Sequence, residues 1–515
     1  MVQSNRASTS RTERKSSTNT MLRKARITLA LIFWIGITLL FVDITGLAHT
    51  YLGWMAKVQF LPALLATNLI VVVALLLLTL IMGRIYCSVI CPLGVMQDFI
   101  AWMSRRPLFR KNKRAKLANR YSYSKPKQWL RIVVLAVFVM LILAGFTSIT
   151  ALLAPYSAYG RIAANLIQPV YVWANNLLAH VAEHYDSYAF YTTDLWLKST
   201  LSLAIAAATL LVVGFLAWRN GRTWCNTICP VGTVLGFVAR FSRVRIYIDK
   251  EKCTSCGLCT RNCKASCIDP ETHDVDPTRC IVCGDCLQVC HAKAMKHGIP
   301  HTPERQPDGE RRQFLSLLAM TSVAATLKAQ EKTVDGGLAI IEDKQLPTRT
   351  TPLTPPGSQS QRNLQQHCTS CQLCVAQCPN GVLRPSDSLE NFMQPEMQYE
   401  RGYCRPECNR CSQVCPTGAI KPITVEQRTA IQVGHAVWIK KNCIPVIEGQ
   451  RCGNCARHCP AQAIQMVPNP DDEMSPLIPA IDTEKCIGCG ACENLCPARP
   501  FSAIYVEGHE VHREI

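Results

Sequence analysis

Cysteine spacing constrains this chain more than any other feature. The 515 residues include 29 cysteines, and they fall in short regular runs. Cys253, Cys256, Cys259 and Cys263 form the first quartet, and Cys280, Cys283, Cys286 and Cys290 the second. Four more follow: Cys368, Cys371, Cys374 and Cys378; Cys404, Cys408, Cys411 and Cys415; Cys443, Cys452, Cys455 and Cys459; Cys486, Cys489, Cys492 and Cys496. Each of these last four closes on Cys-Pro after a three-residue step. So long a chain is no small disulfide-stapled scaffold, and short regular runs are the habit of metal ligands. The quartets take 24 of the 29 cysteines, two Cys-x-x-x-Cys-Pro motifs take Cys87, Cys91, Cys225 and Cys229, and Cys267 is left over. No set of thiols remains for disulfides.

The spacing has a direct physical reading. Three thiolates on a tight loop wrap one [4Fe–4S] cluster, and the fourth, after a short helical step, reaches a neighbouring cluster, as in bacterial ferredoxins. On that rule Cys253, Cys256 and Cys259 with Cys290 hold one cluster, and Cys280, Cys283 and Cys286 with Cys263 hold another. Zinc sites rarely use this run. Cys267 extends the first run by a further step and competes with Cys263; spacing favours Cys263. Lys264 and His291 stand where the usual proline would follow these two runs. The longer openings of the middle C-terminal quartets are ways to alter solvent exposure and hydrogen bonding, hence potential. The count predicts six [4Fe–4S] clusters. No Cys-x-x-Cys-His occurs, which argues against covalent haem.

Four apolar stretches are long enough to cross a bilayer, which takes about 20 residues: Ile27–Leu47, Leu61–Met82, Trp129–Thr150 and Ser199–Trp218. The net charge of +19 gathers beside them. Arg6, Arg11, Arg14, Lys15, Arg23, Lys24 and Arg26 precede the first; Arg105, Arg106, Arg110, Lys111, Lys113, Arg114 and Lys116 separate the second and third; Arg219, Arg222, Arg240, Arg243 and Arg245 follow the fourth. The other two loops are poor in positive charge. The positive-inside rule therefore puts the N-terminus and the chain after Trp218 in the cytoplasm. Charge beside spans, with no recognition motif, argues against nucleic acid as a partner and for membrane lipid.

The same half repeats itself. Arg84-Ile-Tyr-Cys87-Ser-Val-Ile-Cys91-Pro92-Leu-Gly94 matches Arg222-Thr-Trp-Cys225-Asn-Thr-Ile-Cys229-Pro230-Val-Gly232, and Phe99, Ser104 and Arg105 pair with Phe237, Ser242 and Arg243 at the same offset. Each copy follows two spans, so the repeat is parallel, about an axis along the membrane normal. The motifs then face each other on the cytoplasmic side, either as a shared metal or redox site or as two thiol pairs closing helix ends. Asp43, inside the first span, is a candidate for a proton or quinol site because ionisable groups there are costly. His49, His180 and His184 lie on the outer side and read as surface residues.

Arg311-Arg312 opens a short apolar stretch to about Leu327. Twin arginines before such a core read as an export signal, which puts the C-terminal quartets outside the cytoplasmic membrane; the competing reading is an ordinary linker helix. A proline-rich stretch from Leu346 to Ser360 reads as an extended linker. The expected fold is thus an α-helical membrane domain of four transmembrane helices plus α+β bacterial-ferredoxin-like modules. Its divisions are a basic cytoplasmic tail (1–26), the membrane domain (27–245), a two-cluster domain (246–300), a linker (301–362) and a four-cluster domain (363–515).

On these motifs, residues from about 20 to 300 resemble the NapH-type quinol dehydrogenase membrane subunit. Residues from about 311 to 515 resemble the NapG/MauM ferredoxin-type proteins, so the chain looks like a fusion of the two. The resemblance implies nested pairing of the last four quartets, first with last. Cys368, Cys371 and Cys374 would share a cluster with Cys496, and Cys486, Cys489 and Cys492 with Cys378. It also implies a multi-pass inner-membrane protein that passes electrons from the quinol pool through its clusters to a partner redox protein. The alternative is a maturation factor or copper reductase of the CcoG or MauM/MauN type. Inner quartets in the cytoplasm and outer ones beyond the membrane would leave a crossing for which the apolar spans offer no obvious relay.

Overall fold

The computed structural model describes residues 3–105, 121–187, 190–299, 334–335, 339–340, 344–470 and 475–515. The twin arginines lie outside the described residues.

Helix α1, Gln3–Val42, carries an apolar span from Met21 to Val42. It meets an interrupted second segment: Phe60–Leu65, a break, then α2, Leu69–Met82. Thr67 sits in the break with φ +52°, a conformation a helix interior does not tolerate. The Asn68 side chain accepts from Val71 N and caps the restart, as N-cap residues do. The third apolar segment is interrupted in the same way. Helix α3, Pro92–Met103, lies before it; α4, Gln128–Leu143, ends at Ala144, and a new turn starts at Thr147 after Gly145 at φ +84°. Only the Met21–Val42 segment and α7, Thr200–Asn220, are continuous helices long and apolar enough to cross a bilayer among the described residues. The second and third of the four expected spans are each interrupted at a break of this kind.

The connection expected between the third and fourth spans is itself structured. Much of it is helix: α5, Pro155–Ile162, and α6, Gln168–His184, joined by a wider π-type turn at Ala163–Ile167. Helix α5 packs on α7 and α3 and is buried throughout. Its Arg161 is 0% exposed and donates to the carbonyls of Ala151 and Leu152. The half closes with α8, Pro230–Ala239, which starts after Cys229 as α3 starts after Cys91, each with proline in its first turn; there the missing N–H costs nothing.

The cysteine-rich modules are small sheets and short helices. Strand β1, Arg245–Ile248, pairs antiparallel with β2, Met295–Gly298, around the first two quartets. Further on, β3 (Leu383–Pro385) pairs with β4 (Pro395–Met397), β5 (Ile431–Trp438) with β8 (Ile504–Glu514), and β6 (Ile464–Val467) with β7 (Ile478–Ile481), all antiparallel.

The two modules hold opposite ends of α1. At one end Arg23 pairs with Asp285 at 2.8 Å, and Arg26 reaches Asp98. At the other, Gln377 donates to the carbonyls of Leu40 and Asp43, at 2.7 and 2.9 Å. Between Arg23 and Val42 runs roughly 30 Å of helix at 1.5 Å per residue, close to the thickness of a bilayer's hydrocarbon core.

Candidate functional site

Each predicted quartet must bring four thiols to one place, and the first two do so as the spacing predicts. Cys253, Cys256, Cys259 and Cys290 line one cavity; Cys280, Cys283, Cys286 and Cys263 line a second, together with Cys267. Gly257 and Gly284, both in the left-handed region, turn the chain after the second cysteine of each run into the helix that carries the third. The Cys263 and Cys267 sulfurs are 3.5 Å apart. The two thiols share a contact in which either sulfur can donate to the other.

The last four quartets pair differently from the nested expectation. Cys415 lies in the electrostatic neighbourhood of Cys368, Cys371 and Cys374, and Cys378 in that of Cys404 and Cys411. Cys496 neighbours Cys443 and Cys455, while Cys459 shares a cavity with Cys486, Cys489 and Cys492. The first quartet therefore exchanges its last cysteine with the second, and the third with the fourth. These are two ferredoxin-like modules in tandem. The reason is chain length: β3 and β4 fold back within one pair, and β6 and β7 within the other, so each fourth cysteine meets its nearest neighbour. Cys404 N donates to Cys489 O at 2.9 Å, which sets the second and fourth quartets side by side. The first quartet faces the helical half: Thr147 donates to Cys368 O, and a Cβ on Gly160 would come within 2.4 Å of Cys371 O.

These sites fit [4Fe–4S] clusters. Backbone N–H groups of Ser370, Ala463 and Ala503 point at the sulfurs of Cys368, Cys459 and Cys496, at 3.3–3.4 Å, as suits thiolates. Burial pushes the Cys283, Cys455 and Cys489 thiols up to about 12. Such thiols ionise only when a metal centre takes the proton's place. Among the described residues no three Cys, His, Asp or Glu side chains converge on a point for a single metal ion.

The two Cys-x-x-x-Cys-Pro motifs face each other, as the repeat predicts. Cys87, Cys91, Cys225 and Cys229 are buried and within one another's electrostatic reach. What sequence reading missed is the pair of arginines that crosses between the copies. Arg84 Nη2 donates to Cys225 O at 3.2 Å, and Arg222 Nη1 donates to Cys87 O at 2.8 Å. Each passes over the other copy's glycine. A Cβ on Gly94 would stand 2.5 Å from Arg222 Nη1, and one on Gly232 2.9 Å from Arg84 Nη2. The signal was present in the repeat, where arginine precedes each first cysteine by three residues. Asp98, equally unforeseen, anchors Arg222 at 2.8 Å, Lys264 at 3.0 Å and Arg26 at 3.4 Å; these cations hold its carboxyl well below the usual range despite burial. The geometry gives Asp43 a capping role. It lies just past α1 and accepts from Thr45 N, Thr45 Oγ1 and Ala48 N, which caps the turn. His180 is exposed beside Glu183.

Cysteine quartets in ferredoxin-like pairs, lined up through hydrogen-bonded loops, define an iron–sulfur electron-transfer protein of the ferredoxin type. Comparison with known proteins agrees. A 4Fe-4S dicluster domain model matches residues 367–419 and 450–499, the two tandem pairs, and a 4Fe-4S binding domain model matches 64–115 and 200–248, the two copies of the repeat. The methylamine utilization ferredoxin-type protein MauM of Methylobacillus flagellatus is 32% identical over 169 residues, 31% of this chain and 70% of the relative. MauM of Paracoccus denitrificans is 31% identical over 29% of this chain and 69% of its own length, and the ferredoxin-type protein NapG of Escherichia coli 29% over 28% and 65%. No solved structure matches. The chain belongs to the MauM family of ferredoxin-type proteins.

Proposed function

We propose that this chain is a multi-pass inner-membrane protein that oxidises quinol and passes the electrons through six [4Fe–4S] clusters to a partner redox protein. The observation that carries the reading is a cavity of about 570 Å³ between α1 and α3, within the size range of small-molecule sites. Leu31, Trp34, Phe99 and Trp102 form its apolar side; Asp98, Lys264 and Tyr121 form its polar side. Lys264 directly follows Cys263, and the lining residue Asp285 directly precedes Cys286, so the cavity abuts the second inner quartet. An apolar side toward the span and a charged side toward a cysteine quartet suit an amphipathic quinol. Its two protons would leave to water at the rim near Asn262 and Gln288. A [4Fe–4S] cluster supplies one-electron transfer when bound; the chain supplies the thiols, their N–H donors and the buried cations. In this reading the interrupted segments around Thr67 and Gly145 also cross the membrane, the N-terminal half corresponds to a quinol dehydrogenase membrane subunit, and the C-terminal modules lie on the outer side.

The test is anaerobic mixing of the purified chain with a reduced quinol, followed by EPR. Cluster reduction on a turnover timescale, lost when Trp102→Ala and Phe99→Ala empty the apolar side, is the expected result. Clusters that stay oxidised with quinol but reduce with dithionite would remove quinol as the donor. The second reading, a maturation factor or metal reductase, is favoured by the methylamine utilization role in the names of the MauM relatives and by the four buried thiols of the repeat.

A further inference from the structure

Helix α5 buries polar groups that the described residues do not satisfy. Tyr156 is 1% exposed and Arg161 0%. The Tyr156 hydroxyl and Arg161 Nε are both buried with no hydrogen-bond partner. The other guanidinium nitrogens of Arg161 donate to neutral carbonyls, Nη1 to Ala151 O at 3.0 Å and Nη2 to Leu152 O at 3.3 Å. Arg161 meets no carboxylate among the described residues. An unmade hydrogen bond on a buried donor is costly, and a buried cation without a counter-charge more so. What these groups face is sulfur. The ionisable groups within electrostatic reach of Tyr156 are Cys371 and Cys415, and for Arg161 it is Cys371. Cys371 and Cys415 belong to different runs and meet at the one tandem site they share, so Tyr156 stands at that site and not beside a single loop. The backbone agrees. Gly160 lies one turn on from Tyr156, hence on the same face. A Cβ there would come within 2.4 Å of Cys371 O and 2.9 Å of the Phe41 ring. Phe41 in turn packs on Tyr156, with ring centroids 6.2 Å apart. On either side of this close approach Thr147 donates to Cys368 O at 3.0 Å, Asn165 to Gln372 Oε1 at 2.7 Å and Gln168 to Ala376 O at 3.0 Å. These bonds fix α5 against the loop of the first tandem quartet.

We propose that α5 is one wall of the cluster site formed by Cys368, Cys371, Cys374 and Cys415, where the Tyr156 hydroxyl donates to sulfur and the Arg161 guanidinium supplies a buried positive charge, so that the helical half sets this cluster's potential. Each one-electron reduction adds one negative charge to a cluster. A donor and a cation held in a medium of low effective dielectric constant stabilise that charge, and hydrogen bonds to sulfur and net charge are among the factors that set cluster potentials. Tyr159, on the same helix, is the contrast. It is 0% exposed, but its hydroxyl shares a hydrogen bond with Thr38 Oγ1 at 2.5 Å, and no described cysteine lies within its electrostatic reach. Glycine at position 160 has its reason here too, since a side chain would push α5 off the Cys371 loop. The assignment rests on the [4Fe–4S] reading of the tandem quartets and not on the quinol reading.

The test is an EPR-monitored redox titration of the full chain, purified anaerobically, with the signal of this cluster identified by its loss in Cys371→Ala. Tyr156→Phe and Arg161→Met should each move that one signal to lower potential and leave the others in place. At a fixed ambient potential the ratio of reduced to oxidised cluster should fall about tenfold, which is about 59 mV for one electron. Arg161→Lys should stay near wild type, and Tyr159→Phe should move nothing. Electron–nuclear double resonance on the reduced cluster should find an exchangeable proton that is missing in Tyr156→Phe. That variant removes one oxygen and keeps the ring, so it decides if the arginine variants do not fold. Tyr156→Phe and Arg161→Met with every potential and the proton coupling unchanged would overturn the proposal. So would an equal shift in Tyr159→Phe, which would make α5 a packing element alone. A wild type in which Cys371→Ala removes no cluster would overturn the tandem cluster reading beneath it.

Discussion

Arg428 shows how one side chain can act on several redox centres. It is 0% exposed, lies against Cys404 and within electrostatic reach of Cys489 and Tyr399, and so stands where the two tandem modules meet. A cation beside a thiolate-held cluster favours the reduced, more negative form, because added charge is offset in a medium of low effective dielectric constant. Arg428→Gln is expected to lower the potential of at least one cluster of the tandem modules by on the order of tens of millivolts, with Arg428→Lys close to wild type. An EPR-monitored redox titration checks this; unchanged potentials in the Gln variant would place the arginine in packing alone. Nothing in the sequence distinguished Arg428 from the other arginines. Its role comes from burial beside Cys404, which is set by the fold of the helix Val425–Ala430 and its Thr424–Gln427 capping box.

At the level of elements, the short strand pairs decide which cysteines share a cluster. Spacing predicts that a fourth cysteine leaves its own run for a neighbour, and this holds throughout the described quartets. Which neighbour it reaches is a matter of the hairpins between runs, and here the nested expectation failed. The tandem arrangement makes a separate prediction. Cys378→Ser should expose Cys404, Cys408 and Cys411 to alkylation while Cys486, Cys489 and Cys492 stay protected. Peptide mapping by mass spectrometry reads the difference, and the reverse pattern would restore nesting. The helical elements carry a parallel lesson. Apolar length points to four spans, and Thr67 and Gly145 at positive φ interrupt two of them. The connection between the third and fourth spans adds its own packing: helix α5 is buried against α7.

Across the whole molecule, α1 is the ruler. The two-cluster module holds its Arg23 end and the tandem modules hold its Leu40 end. If α1 spans the bilayer, the tandem modules lie on the opposite side from the two-cluster module. A tag at Ile515 is expected to be cut by protease in intact spheroplasts; protection until lysis would put both modules on one side.

The sequence by itself determined the cysteine chemistry: the quartets, the ligand rule that joins neighbouring runs, the first two pairings, and the repeat. Ligand spacing is local, and a tight loop with a residue in the left-handed region, Gly257, Gly284 or Gln372 among them, reproduces it. Only the tertiary structure decided the tandem pairing, the crossed arginines, the Asp98 hub and the placement of the modules at the two ends of α1. Each depends on contacts between residues far apart in the chain, such as Arg222 with Cys87 or Gln377 with Leu40, and no local pattern encodes a partner that arrives from more than a hundred residues away.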